Sequence, residues 1–290
     1  MCRETAQKMN LKVVNFLSNH GNYPAIKDVD DRILQSENRL NNKLRRLQSG
    51  VEAEFIRALR ERGYLPKGNR EVRRFVSRIL DVPFNDMKTV IADESVLGAE
   101  LGRQITFEEL IEDGMNIDFK NFADEVKDKL WQKTYQFSAD TFMRIEGDFI
   151  KTLTDGELEG LGIDEVARNL RHDFKDLRDN RLKTIARTEI QGAQNEGSHQ
   201  TMLDYGVRYQ QWLTVGDDRV RGNNPNDIYD HVYLHGQVVE VGETFSNGLE
   251  YPGDRSGDIG DWINCRCRKR PYIPKRGEVI LTTPYYPSAV

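Results

Sequence analysis

A chain of 290 residues, 38% hydrophobic and 31% charged, is long enough to bury a core without staples and polar enough to suit long exposed helices. Its 42 basic and 47 acidic residues leave a net charge of −5, which excludes an overall attraction to nucleic acid, so any such contact must be local. Three cysteines, one at position 2, exclude a disulfide framework and point to a reducing compartment. No run approaches the roughly 18 apolar residues of a membrane span, and the first residues lead into no signal-type apolar core. The chain reads as made and used in a cytoplasm, without a membrane partner.

Residues Met1 to Val29 hold Leu11, Val13, Val14, Phe16 and Leu17 ahead of a breaker zone at Asn19 to Pro24, and read as a short element plus an arm. From Asp31 to Arg62, Ile33, Leu40, Leu44, Leu47, Val51, Phe55 and Leu59 recur every three to four residues. That spacing predicts a long amphipathic helix, ended by Gly63 and Pro66, whose apolar stripe needs a partner. The basic cluster Lys43, Arg45 and Arg46 is a solvated face or a phosphate contact. A second helix is expected from Arg70 to Leu80, stopped by Pro83, and a third from Phe84 to about Gly98. Thr106 and Glu109 have capping-box spacing and predict a short helix ending near Gly114.

Asp118 to Phe149 repeats aromatic and aliphatic residues at helical spacing, as one helix or as two broken near Ser138, and Gly156 breaks the pattern. Ile163 to Leu177 and Asn180 to Tyr205 read as two further helices, the second capped by Gly206. Beyond Gly206 the texture changes. Val207 to Val215 and Gln237 to Val241 have strand character among loops rich in Gly, Asn and Asp, and the tail with Pro274, Pro284 and Pro287 reads as extended. The fold class is therefore α+β, with a helical region of long amphipathic helices followed by a small loop-rich α+β module. The expected divisions are an attachment region at 1–155, a module at 156–273 and a tail at 274–290.

Three groups in the module carry chemistry. Arg187, Thr188 and Glu189 adjoin in one helix, too close to face each other across a turn, so each reaches a different neighbour. Buried ion pairs that anchor this helix are the favoured reading over a catalytic Glu189. Asp217-Asp218-Arg219-Val220-Arg221, if extended, puts Arg219 and Arg221 on one side for two-point binding of carboxylates or phosphate. His231, His235, Cys265 and Cys267 supply imidazole and thiolate for a closed tetrahedral zinc site, with Asp217 as substitute if His235 points away. Ordinary buried cysteines remain the alternative. A catalytic zinc would need an open position and an acid such as Glu240. Arg266, Arg268, Lys269 and Arg270 form either a local DNA-facing patch or a solvated surface. No nucleophile elbow, P-loop or His-Glu-x-x-His is present.

Taken in order, Ala186-Arg187-Thr188-Glu189, Asn195 with Gly197, Trp212, Asp217-x-Arg219-Val220-Arg221, His231 with Gly236, Tyr251-Pro252-Gly253-Asp254 and Asn264-Cys265-Arg266-Cys267 resemble the phage Mu F-like, or head morphogenesis, family of minor head proteins. The likeness spans roughly Glu165 to Ile273. One departure stands out: Gly222 to Asp230 intervenes before His231, which keeps its place only if that insertion bulges outward. Position 235, often acidic in the family, is His.

The resemblance implies a non-enzymatic viral minor capsid protein that associates with the portal and with scaffold or major capsid protein in the procapsid. It implies assistance to head assembly, DNA packaging or ejection, a place in the capsid interior or at the portal vertex after assembly in the host cytoplasm, and packaged double-stranded DNA as a further neighbour. The competing reading is a metal-dependent hydrolase or nuclease, or a phage-encoded effector, that uses the His/Cys cluster.

Overall fold

In the computed structural model, residues 25–280 are described, with side chains from Val29 onward. Four helices come first, α1 (Ala25–Arg62), α2 (Gly68–Glu112), α3 (Asp124–Leu158) and α4 (Ile163–Asp176). One π-helical turn (Leu177–Arg181) leads into α5 (Leu182–Asp204). The remainder holds β1 (Tyr209–Leu213), α6 (His231–Leu234), β2 (Val238–Glu240), α7 (Ile259–Trp262) and β3 (Arg268–Tyr272). The three strands make one antiparallel sheet in the order β2-β1-β3, with Gln210 opposite Val239 on one side and Pro271 on the other. Pro271 is accommodated because β3 is an edge strand. The architecture is α+β: long helices first, then a small sheet among loops. Among the described residues no helix is long and apolar enough to cross a membrane.

The stripe on α1 is buried within the chain itself. Ile33, Leu40, Leu44, Val51, Phe55 and Leu59 join a core that continues through α2, α3 and α4 to Ile190 of α5. At its centre the Phe55 ring meets Phe75 at 5.6 Å, Phe149 at 5.8 Å and Phe174 at 5.9 Å, spacings at which aromatic pairs attract. The expectation that this stripe waits for an outside partner is therefore corrected. Lys43, with Arg39, closes on the buried Glu94 carboxylate at 2.6 Å.

Several expected breaks are absent, and each has a packing reason. α2 runs unbroken through Pro83, because Ile79, Leu80, Phe84 and Met87 on both sides of it are held in the core. A missing hydrogen bond is the smaller effect there. Thr106 caps nothing: its hydroxyl meets that of Ser198 at 2.6 Å, and Glu109 reaches Arg268. Gly102 lies where α2 and α5 touch backbone to backbone, since a Cβ there would come within 2.0 Å of the Gln194 carbonyl. Gly197 does the same from the α5 side against Ala99. These glycines permit close approach and end no helix.

α3 passes Ser138 and Gly156 without interruption. The division expected between residues 155 and 156 thus falls inside a helix whose Phe149 and Leu153 share the core with Val166 and Phe174 of α4. Residues 274–280 hold no regular element, and both the arm at 1–24 and the rest of the tail at 281–290 lie outside the described residues.

Candidate functional site

α5 is the axis on which the module is built. Its buried amides take up backbone groups that the loops leave without a ladder. Gln191 and Asn195 both donate to the Cys267 carbonyl, at 2.7 and 3.0 Å, and the Asn195 side-chain oxygen accepts from the Lys269 amide at 3.0 Å. Arg187, Thr188 and Glu189 point three ways. Arg187 spans Glu37 of α1 (3.4 Å) and the Asn264 side chain (2.9 Å); the Thr188 hydroxyl accepts from the Asn264 amide (2.9 Å); fully buried Glu189 pairs with Arg255. Asn264 adopts φ 54, a left-handed conformation that Asn tolerates better than most residues and that turns its amide onto Thr188.

Asp217 to Arg221 is a turn, not the extended run expected. Arg219 folds back on Asp217 at 2.9 Å, and Arg221 donates to the Ile263 carbonyl. The two-point clamp comes from elsewhere: Arg266 holds both oxygens of Asp217 at 2.5 Å. That pairing, helped by Arg219, keeps the Asp217 carboxyl well below the usual range.

The residues expected to face DNA do not form a surface patch. Arg268 is buried against Glu109 at 2.7 Å, and Arg270 lies 3.6 Å from Asp113. Lys269, 1% exposed, donates to His199 Nδ1 at 2.5 Å and to the Gln210 side chain at 2.8 Å, beneath the Tyr251 ring. With Arg266 committed to Asp217, the three arginines pair with carboxylates inside the protein and Lys269 hydrogen-bonds neutral side chains. Partners at Glu109, Asp113 and His199, none visible from the run of basic residues, decide this.

The insertion before His231 bulges outward. Residues 223–228 are exposed, Ile228 to 90%, and the chain returns so that both the His231 and Val232 amides donate to the Arg221 carbonyl, at 2.9 and 3.0 Å. His231 opens α6 and points into a small core with Trp212, Phe245, Cys265 and Cys267. Its Nδ1 stands 3.5 Å from the sulfur of each cysteine, and the three donor atoms lie within 4.8 Å of one another. Nε2 is 2.5 Å from Asp261 Oδ1, whose other oxygen accepts from Asn247 at 3.2 Å.

Burial alone would lower the His231 pKa, but Asp261 and Cys265 outweigh it and hold the ring at about 9. The hydrogen bond from Cys267, then the one from His231, pull the Cys265 thiol well down, while burial and the neighbouring Cys265 push Cys267 up. His235 does not join the group. Its Nδ1 accepts from the Thr214 amide at 3.1 Å, and burial lowers its pKa. Gly236, at φ +83, turns the chain so that its amide donates to the Trp212 carbonyl at 2.8 Å, which fixes this loop to β1.

Asp261 is the residue that motif spacing misses. The available signal is an acid four positions before Cys265, since a buried imidazole needs an acceptor on its second nitrogen. The cavity beside the cluster, bordered by Val215, Val220, Arg221 and Asn264, measures about 20 Å3.

His231, Asp261, Cys265 and Cys267 lie within a segment that matches a family model. No curated protein and no solved structure matches the chain. Residues 148–270, from the last turns of α3 to β3, match the family model described as Phage Mu protein F like protein. Over that segment the chain is similar to the Mu F-like family of phage proteins.

Proposed function

We propose that this chain is a minor head protein that associates with the portal and with scaffold or major capsid protein in the procapsid, and that it assists head assembly, DNA packaging or ejection. The observation that carries the reading is the Mu F-like match over residues 148–270, whose motif residues all fall on one structural frame around α5. The long helices supply the reach such a role needs: at about 1.5 Å per residue, the 45 residues of α2 extend about 68 Å. Capsid neighbours would meet their outer faces, because the apolar stripes are already used internally. Contact with packaged DNA, if made, uses residues other than Arg268 and Lys269, which are buried.

A hydrolytic role for the His/Cys cluster gains no support. His231, Cys265 and Cys267 are 1%, 3% and 3% exposed, and the adjoining cavity of about 20 Å3 admits one water and no phosphodiester.

The test is co-expression of the full chain with the portal protein of the same virus, followed by size-exclusion chromatography and protein quantification in purified procapsids. Co-elution with the portal and presence in particles at low copy number are expected. Independent elution together with absence from particles would overturn the reading.

A further inference from the structure

The head-assembly reading makes no use of the buried group at His231. We propose that His231, Cys265 and Cys267 bind one zinc ion, that a single water in the adjoining cavity completes its coordination, and that Asp261 is the positioning residue that orients His231. Two thiolates and an imidazole form a soft donor set that suits zinc over calcium or magnesium. The spacing fits as well. With zinc–sulfur bonds of about 2.3 Å and zinc–nitrogen bonds of about 2.0–2.1 Å, the edge between a sulfur and a nitrogen of a tetrahedron is about 3.6 Å. His231 Nδ1 lies 3.5 Å from both sulfurs.

The surroundings are those of a supported metal ligand. Asp261 engages Nε2 and leaves the Nδ1 lone pair directed at the sulfurs, and Asn247 in turn fixes Asp261. The Cys267 amide donates to Cys265 Sγ at 3.4 Å, a contact that stabilises negative charge on that sulfur. The two expected alternatives for a fourth ligand are otherwise engaged: His235 Nδ1 on Thr214, and both oxygens of Asp217 on Arg266. The 20 Å3 cavity exceeds the roughly 10–15 Å3 that one water occupies. Bound there, the ion ties the start of α6 to the segment entering β3. The insertion at 222–230 thus closes on a fixed point in a part of the molecule short of regular hydrogen bonding.

The test uses the full chain, purified under reducing conditions and incubated with zinc, then desalted and measured by plasma mass spectrometry. About one zinc per chain is expected, retained in His235→Ala protein and lost in Cys265→Ser, Cys267→Ser and His231→Ala proteins. Asp261→Asn should weaken zinc binding by about 10–100-fold with the circular dichroism spectrum preserved. Where a cysteine variant fails to fold, cobalt(II) added to the unaltered chain decides. Thiolate-to-cobalt charge-transfer absorption supports the site, and its absence overturns it. Zinc at background level in the unaltered chain, or full retention in a folded Cys265→Ser protein, also overturns the proposal. None of these results bears on portal association, so the two readings fail independently.

Discussion

The helical body and the module after α5 solve the same problem by different means. In the body, hydrogen bonding is settled within each helix, and cohesion comes from apolar side chains such as Phe55, Phe75, Phe149 and Phe174 meeting at one centre. In the module, the strands are three to five residues long and most backbone groups lie in turns. Buried amides replace the ladders there: Gln210 alone donates toward the carbonyls of Glu240, Glu243 and Glu250. Where regular structure is sparse, a loop-rich core is specified by polar side chains that reach backbone, and it tolerates change differently from an oily one.

The comparison is open to breaking by substitution. The largest effect is expected from Phe55→Ala in the body, about 3–5 kcal/mol, because it removes the ring on which three others pack. Urea unfolding followed by circular dichroism measures it, and a loss under about 1 kcal/mol would show that the body does not depend on this centre. Next comes Asn195→Leu in the module, a near-isosteric change expected to cost about 3 kcal/mol because the Lys269 amide loses its buried side-chain acceptor and the Cys267 carbonyl loses one of its two side-chain donors. Its counterpart in the body, Leu170→Met, should cost under about 1.5 kcal/mol. Equal costs for these two would erase the distinction drawn here.

A pH dependence sharpens it. His199 is 9% exposed, with Lys269 Nζ donating to Nδ1, Glu250 3.4 Å from Nε2, the Tyr251 ring at 5.2 Å, and Asp254 and Lys133 acting through their charge. An Nδ1 that accepts from an ammonium or amine belongs to a neutral ring. Burial, then the Lys269 charge, hold its pKa down to about 4. The unfolded chain, at about 6.5, therefore takes up the proton first. Stability is fully present above about pH 6.5 and declines as pH falls toward 4, by about 2–3 kcal/mol from this group. Urea midpoints at several pH values should show the decline, and His199→Gln should flatten it between pH 6.5 and 4.5. An unchanged slope in that variant would assign the effect elsewhere. The smallest change is expected from Ile228→Ser on the insertion, within about 0.5 kcal/mol, since the side chain is 90% exposed. A larger shift in thermal midpoint would mean that the insertion packs against something.

Local pattern along the chain was enough to determine the α+β class, the long helices, the stop at Gly63 and Pro66, the end of α5 before Gly206 at φ +65, and the motif order that carries the likeness to the Mu F-like family. These are legible because helical repeats and left-handed turns are set by neighbours a few residues away. Only tertiary packing decided that α2 continues through Pro83 and Gly102, that Arg268 serves Glu109 from 159 residues away, and that Asp261 stands behind His231. Burial removes water from such groups, so each buried charge or donor must find a partner wherever the fold brings one. That partner leaves no local trace in the sequence.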